Sequence, residues 1–280
     1  MKTKRGNFQK MKIRDVIYKN DKINLDKKRL AMGQVLSLSN VDLSLKLDDS
    51  LSLGCYIKYK SVLRKLVRGV PIQYICHKAY FYNRWFKVNR NTLIPRVETE
   101  YLVLETKKLI DKYFSSDVSI LDIGTGSGII AITLASFSDK YDVCATDISS
   151  SALKVAKYND NLSQVKFIHT DLYKGIDRKF DVVISNPPYI KEGSCFVSSS
   201  VDKYEPHIAL YGGDDGLLFY RRIFKDIKSI VNKKNIICFE TGENQNDLIE
   251  EMAFDYFPDA KIIKKNDLNG FNRYIFIINE

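Results

Sequence analysis

Between Val118 and Glu240 the chain alternates between two hydrophobic periods, and this alternation restricts its fold more than any other feature. Short aliphatic and β-branched runs predict strands at Val118–Asp122, Asp142–Asp147, Val165–His169, Phe180–Ser185 and Asn235–Glu240. Around and between them, apolar residues recur three and four apart. They predict helices over Glu100–Tyr113, Gly128–Phe137, Ser150–Asn159, Gly216–Asn232 and Asn246–Phe257. Strands linked through helices become parallel neighbours, and such a sheet has to be covered on both faces. Two closing strands, Ala260–Lys264 and Arg273–Ile278, flank the turn-forming Asp267-Leu-Asn-Gly270 and so return antiparallel. The expected fold class is α/β: a doubly wound, Rossmann-like, mostly parallel sheet with an antiparallel last strand, occupying residues 98–280.

The first part of the chain follows a different pattern. Met11, Ile13, Val16 and Ile17 fit one helix, and Leu30, Val35, Leu36 and Leu38 a second. Ile57, Val62, Leu63, Leu66 and Val67 fit a third, ending at Arg68-Gly69 before Pro71. Residues 1–75 therefore read as a small helical domain. Residues 76–97, with Tyr80, Phe81, Tyr82, Trp85, Phe86 and Val88 among Asn-rich breaks, read as a β-hairpin linker. Phe81, Trp85 and Phe86 are expected to pack in that hairpin.

Charge follows the same division. Residues 1–95 carry 21 Lys and Arg against 6 Asp and Glu, while residues 96–280 carry 23 against 28. The net +10 thus resides in the first third, which suits an acidic partner; a general lysine bias is the other explanation. No apolar run is long enough to cross a membrane, and the first residues lack the apolar stretch of a signal peptide. The five cysteines are scattered with no C-x-x-C pair, so a reduced, cytoplasmic chain without a metal site is expected.

Asp122-Ile-Gly-Thr-Gly-Ser-Gly128 lies where the first strand of the α/β region meets its helix. Glycines at alternate positions allow a tight turn and close backbone approach to a ligand, beside the unpaired N–H groups of a helix start. The G-x-G-x-G spacing differs from the G-x-G-x-x-G of diphosphate-binding loops and favours S-adenosylmethionine over NAD. Gly124, Thr125, Gly126, Ser127 and Gly128 would form the cradle. Asp122 would meet an ammonium or organise the loop. Asp147, ending the next strand, would bind ribose hydroxyls or cap the following helix. Asp171 would accept from an adenine amine or serve as a turn residue.

Asn186-Pro-Pro-Tyr189 closes the Phe180–Ser185 strand with two residues that cannot donate to a sheet. A planar –NH₂ conjugated to a carbonyl or ring is a poor nucleophile because its lone pair is delocalised. Acceptors on both its N–H groups would orient that lone pair and stabilise positive charge developing on nitrogen. The Asn186 side-chain oxygen and the Pro187 carbonyl can serve as these acceptors, with Pro188 fixing the corner and Tyr189 stacking on the planar target. Such a corner suits either an exocyclic base amine or a side-chain amide.

From residue 64 onward the chain resembles the HemK/PrmC-type protein-glutamine N5-methyltransferases of class-I peptide chain release factors. Arg68-Gly-Val-Pro-Ile-Gln-Tyr74 and Thr92-Leu-Ile-Pro-Arg-Val-Glu-Thr-Glu100 match the family's linker, and Asp122–Gly128, Asp147 and Asn186–Ile190 its cofactor and catalytic motifs. Tyr204-Glu-Pro206, Ala209–Leu217, Tyr220-Arg221, Glu240-Thr-Gly242 and Asp267–Gly270 with Arg273 match later segments. The resemblance implies a class I S-adenosylmethionine-dependent methyltransferase fold and methyl transfer to the glutamine of a Gly-Gly-Gln loop. It further implies that Asn186, Pro187, Pro188 and Tyr189 grip the amide, and that Arg96, Glu98 and Thr99 line the cleft. Arg96 alternatively pairs with Glu98 or Glu100. Residues 1–75 would contact the release factor, and Leu172 would lie near the adenine. Two positions depart from the family, His77 replacing a usual glycine and Val97 a usual proline, and Leu172 falls near a position that is often aromatic. An N6-adenine or other exocyclic-amine nucleic-acid methyltransferase is the competing enzyme reading, and a non-catalytic docking module the third. Nucleic acid is not expected as substrate, nor a membrane as partner.

Overall fold

The computed structural model describes residues 11–195 and 197–280. The chain divides into two compact units, one through Cys76 and one from His77.

In the first unit, β1 (Met11–Lys12) pairs antiparallel with β2 (Ser50–Leu51). Around this pair stand α1 (Ile13–Ile17), α2 (Leu25–Leu36), α3 (Asn40–Leu45), α4 (Leu53–Val67) and α5 (Ile72–Cys76). Asn24, Ser39 and Ser52 cap α2, α3 and α4 by accepting backbone N–H groups of their first turns. The core combines Ile13, Val16 and Ile17 with Ala31, Met32, Leu43, Leu51, Tyr59, Leu63 and Leu66. The α4 stripe differs from the aliphatic pattern: Tyr59, Leu63 and Leu66 face inward, and Ile57 is 60% exposed. A tyrosine at the right spacing fills the place of an aliphatic residue there. In α2, Leu30 is likewise exposed and the Ala31–Met32 pair is buried. Lys28 is buried with its ammonium 2.6 Å from Asp21 and donating to the Lys19 carbonyl.

The second unit opens with a hairpin, β3 (Lys78–Phe81) and β4 (Arg84–Lys87), joined at Tyr82-Asn83, where φ is +43° and +59°. Two left-handed residues are what a two-residue type I′ turn requires. Phe81 and Phe86 are buried, but Trp85 lies across from Tyr80 on the outer face and is 59% exposed. Only two of the three aromatics therefore pack inward.

The hairpin leads to α6 (Val97–Tyr113) and then to β5 (Val118–Ile123), α7 (Ile129–Ala135), β6 (Tyr141–Asp147), α8 (Ser150–Asn159), β7 (Val165–His169) and β8 (Phe180–Ser185). After α9 (Ser199–Tyr204) come α10 (Leu218–Lys225), β9 (Val231–Glu240), α11 (Asn246–Tyr256), β10 (Lys261–Asn266) and β11 (Asn272–Asn279). The expected Gly216–Asn232 helix is cut short: α10 ends at Lys225, a 3₁₀ turn covers Ile227–Ser229, and β9 begins at Val231.

Seven strands form one sheet in the order β10-β11-β9-β8-β5-β6-β7. All neighbouring pairs from β9 to β7 are parallel, and β11 runs antiparallel to both β9 and β10. Alternate residues of each central strand serve different cores. Ile120, Val182, Ile236 and Phe276 pack on the face covered by α6 and α7. Leu121, Val183, Ile237 and Ile275 pack on the face covered by α10 and α11. Burial on both faces explains why these strands read as continuous apolar runs. Chain order reverses between β5 and β8, and the crevice beyond the carboxyl ends of strands at such a point is where doubly wound sheets bind ligands. Among the described residues, no helix is long and apolar enough to cross a membrane.

Candidate active site

A cavity of about 350 Å³ opens at the carboxyl ends of β5, β6 and β8. It is within the size range of small-ligand sites. Its floor is the glycine loop after β5. Gly124 and Thr125 N–H groups both donate to the Thr146 carbonyl at 2.9 Å, and Gly126 N–H donates to Asp147 Oδ2 at 2.8 Å. Gly124 and Gly126 have φ of +75° and +58°, and a Cβ on either would meet no atom within 4 Å. They leave open space over the loop, bordered by the residues of the cavity. Gly128 has a different purpose, because its Cβ would come 2.7 Å from Ile132 Cδ1 and 3.1 Å from Ala156 Cβ. It lets the loop enter α7 close against α8.

The loop and the strand ends beside it also hold buried oxygens with no partner among the described residues: Thr125 Oγ1, Ser127 Oγ, Thr146 Oγ1 and both carboxyl oxygens of Asp122. Buried polar atoms are normally satisfied, so this concentration marks a place built for something further. Asp122 itself does not border the cavity; it is wholly buried. Burial pushes its pKa up to about 7; Thr125 and the Ala131 amide lie near enough to pull the other way, though neither completes a hydrogen bond to the carboxyl.

Asp147, Asp171 and Leu172 border the cavity. Asp147 both pins Gly126 and accepts the Ser149 N–H at 2.7 Å, so it organises the loop and the entry to α8 together. Its pKa is raised, chiefly by burial. Asp171 is paired with Arg222, whose Nη2 lies 2.8 and 2.7 Å from its two oxygens. Leu172 occupies the left-handed region at φ +54°, a conformation costly for a leucine and held here at the cavity wall.

Asn186, Pro187 and Pro188 also line the cavity, together with Arg96 and Thr99. Asn186 donates through Nδ2 to Thr99 Oγ1 at 3.2 Å, and Thr99 donates through its hydroxyl to Glu240 Oε2 at 2.8 Å. Among the described residues no donor reaches the Pro187 carbonyl. Tyr189 is not on the wall. Its ring packs against the core beneath and its hydroxyl donates to Glu240 Oε1 at 3.4 Å, so it anchors the corner instead of stacking over the cavity. Glu98 is likewise off the wall; its carbonyl accepts the Tyr274 hydroxyl.

Arg96 pairs with neither Glu98 nor Glu100. Its guanidinium donates to Glu205 Oε1 at 2.6 Å, while Glu205 Oε2 accepts the Ile94 N–H at 3.0 Å. Glu205 is buried, so this carboxylate clamps the Ile94–Arg96 segment to the chain after α9.

The corner at 186–189 is backed by a second loop. Ile190 and Gly212 exchange backbone bonds with the neighbouring segment, Ile190 N–H to the Leu210 carbonyl and Gly212 N–H to the Ile190 carbonyl. A Cβ on Gly212 would come 2.4 Å from the Pro188 oxygen, and one on Gly216 2.3 Å from the Tyr189 oxygen. Gln245 Nε2 donates to that Tyr189 carbonyl at 3.0 Å. Glu205 and Glu240 belong to the Tyr204-Glu-Pro206 and Glu240-Thr-Gly242 segments, which do not show their partners, whereas Arg222 and Gln245 lie in no motif of the sequence.

Residues 103–201 match the Methyltransferase small domain and residues 24–76 the PrmC N-terminal domain. The hMettl16 catalytic domain, solved in complex with MAT2A 3'UTR hairpin 1, shares the fold at TM-score 0.54 and 17% identity, covering 69% of this chain and 73% of that one. Sheet order, inserted antiparallel strand, glycine loop and diproline corner together define a class I S-adenosylmethionine-dependent methyltransferase. A release factor glutamine methyltransferase of Bacillus cereus is 36% identical over 254 residues, 88% of this chain and 90% of its own length; that of Bacillus subtilis is 38% identical over 229 residues, 78% of each. The chain belongs to the release factor glutamine methyltransferase family.

Proposed function

We propose that the chain transfers the methyl group of S-adenosyl-L-methionine to the side-chain amide nitrogen, N5, of the glutamine in the Gly-Gly-Gln loop of class-I peptide chain release factors, in the cytoplasm. One observation carries the reading. The Thr99 hydroxyl gives its only proton to Glu240, so it can meet Asn186 solely as an acceptor, and Nδ2 is the atom it holds. Asn186 Oδ1 is left as an acceptor at the cavity wall.

Gly124, Thr125, Gly126, Ser127, Asp147, Asp171, Leu172 and Asn186 would hold the cofactor, with Asp122 and Gly128 shaping the loop from behind. The open space at both loop glycines and the unpartnered loop oxygens fit such a ligand. When bound, S-adenosylmethionine supplies a methyl group activated by its sulfonium.

Asn186 Oδ1 and the Pro187 carbonyl accept the two N–H groups of the substrate amide and so fix the direction of its lone pair. Both bonds strengthen as the nitrogen gains positive charge, which is where stabilisation lowers the barrier. The nitrogen becomes acidic only after it is alkylated, so its proton leaves last and no strong base has to precede the step. Arg96 and Thr99 complete the amide side of the cavity, Pro188 and Tyr189 stiffen the corner, and Glu98 supports α6 from outside the cavity. Residues 1–75 would supply the release-factor contact, 76–97 the linker and 98–280 the catalysis.

Mass spectrometry of a release factor's Gly-Gly-Gln peptide after incubation with the chain and the methyl donor tests this. A gain of one methyl group on the glutamine is expected. Label transferred to DNA or RNA, with the release factor unmodified, would overturn it.

A further inference from the structure

Glu240, at the end of β9, is 1% exposed, yet among the described residues no cation is bonded to it. Its oxygens are divided between two elements. Oε2 accepts from Thr99 in the first turn of α6, and Oε1 from Tyr189 at the corner after β8. Thr99 in turn accepts from Asn186. Two of the four corner residues are therefore wired to a single buried carboxyl, one directly and one through a hydroxyl.

A hydroxyl has one proton, and this fixes the direction of the whole chain of bonds. A carboxylate can only accept, so Thr99 donates to it and turns a lone pair toward Asn186. Only an N–H can answer a lone pair, and the amide is locked with its oxygen on the other side. A protonated Glu240 can itself donate to Thr99. Thr99 is then at liberty to donate to Asn186, and the amide can rotate so that its NH₂ replaces Oδ1 as the group presented. An NH₂ there cannot accept from a substrate N–H.

We propose that Glu240 is a positioning residue of the methyl-transfer site: acting through Thr99 it sets the polarity of the Asn186 amide, and through the Tyr189 hydroxyl it fixes the far side of the same corner. The inference rests on the reading of that corner as a glutamine-amide site. Around Glu240 stand Glu98 and Thr99 from α6, Tyr189, Tyr220 from α10, whose hydroxyl donates to the Glu240 carbonyl, and Arg273 and Tyr274 from β11. Arg273 directs its guanidinium to Asp267 and the Thr241 carbonyl and does not pair with Glu240. Burial, together with Glu98, lifts Glu240 to about 7, while Thr99, Arg273 and Tyr189 act the other way. The switch in polarity thus falls in the neutral range.

The test compares wild type, Thr99→Val, Thr99→Ser and Glu240→Gln in methylation of a release factor across about pH 6 to 8.5, with donor affinity measured by calorimetry. Thr99→Val is expected to lower kcat by about tenfold or more while KM and donor affinity stay within about threefold, and Thr99→Ser to recover most of that loss. Wild-type kcat is expected to rise with pH through neutrality, and Glu240→Gln, which cannot titrate, to lose that limb. A Thr99→Val enzyme with wild-type kcat, or a Thr99→Ser enzyme no better than it, would overturn the inference. So would a neutral limb that survives in Glu240→Gln, since Asp122, also lifted to about 7, is untouched by that change. A wild-type chain that methylates no release factor would sink the glutamine reading and this inference with it; active wild type with indifferent variants sinks the inference alone.

Discussion

Asn159 pairs with Lys87 in both directions, accepting its backbone N–H at 2.7 Å and donating to its carbonyl at 3.0 Å. The same Nδ2 reaches the Ser127 carbonyl at 2.9 Å, and the Asn159 carbonyl accepts from Arg84. One buried amide at the end of α8 therefore mimics a neighbouring strand for the hairpin and props the glycine loop. Asn159→Ala should cost about 2–4 kcal/mol of stability through the buried groups it strands. It should also weaken donor binding, because the loop loses its support. Urea denaturation and calorimetry check both, and a loss below about 1 kcal/mol would show that water replaces the amide.

Asn186→Ala removes the oxygen proposed to accept from the substrate amide while leaving the glycine loop intact. Turnover should fall by about 10²–10³, the usual effect of deleting one such stabilising group, with donor affinity changed only a few fold. Single-turnover methyl transfer measures the first and calorimetry the second.

Asp122 holds a proton in the native state up to about pH 7 that the unfolded chain gives up near its ordinary 3.8. Its burial is therefore tolerated at acid pH, and stability is lost as pH rises through the native value. Glu240 acts in the same direction. Asp122→Asn, neutral throughout, should lose less stability than wild type between about pH 5 and pH 8. Equal slopes in thermal unfolding would remove Asp122 from the balance.

His77 and Val97, where the family pattern has glycine and proline, each have a backbone reason to be replaced. His77 sits at φ +57°, a region glycine enters without a Cβ clash. Val97 is the first residue of α6, 69% exposed, after an extended Arg96. Proline suits that position because its missing N–H has no helical partner there. His77→Gly and Val97→Pro should each stabilise by up to about 1 kcal/mol. Denaturation midpoints that fall in either variant would contradict the conformational account.

The basic excess of residues 1–95 should make association with an acidic release factor weaken as salt rises. A flat dependence between low and physiological salt would leave those lysines a matter of composition.

Much of the α/β sheet could be read from the chain because its central strands are buried on both faces and its helices carry single stripes. Pattern failed where the stripe outlived the helix. Ile227 and Ile230 keep helical spacing past Lys225, yet a 3₁₀ turn buries them and β9 follows at once. The short helix α9 has Val201 as its only aliphatic residue and offers no stripe to see. At the hairpin, residue parity separates exposed Trp85 from buried Phe86, a distinction that aromatic content conceals. The glycine loop and diproline corner announce themselves as contiguous motifs. Glu205 and Glu240 fall within segments that match the family, but those segments do not reveal their partners, which lie 109 and 141 residues away along the chain. The motif shows each carboxylate without the ion pair or relay it enters.

The contact between Gly212 and the Pro188 oxygen, and that between Gly216 and the Tyr189 oxygen, bear on any attempt to transplant this chemistry. A four-residue graft onto a foreign sheet would arrive without the glycine loop against which it is moulded, and a host side chain in that place would shove the carbonyls out of line. The portable module is two segments some twenty residues apart, moved as one.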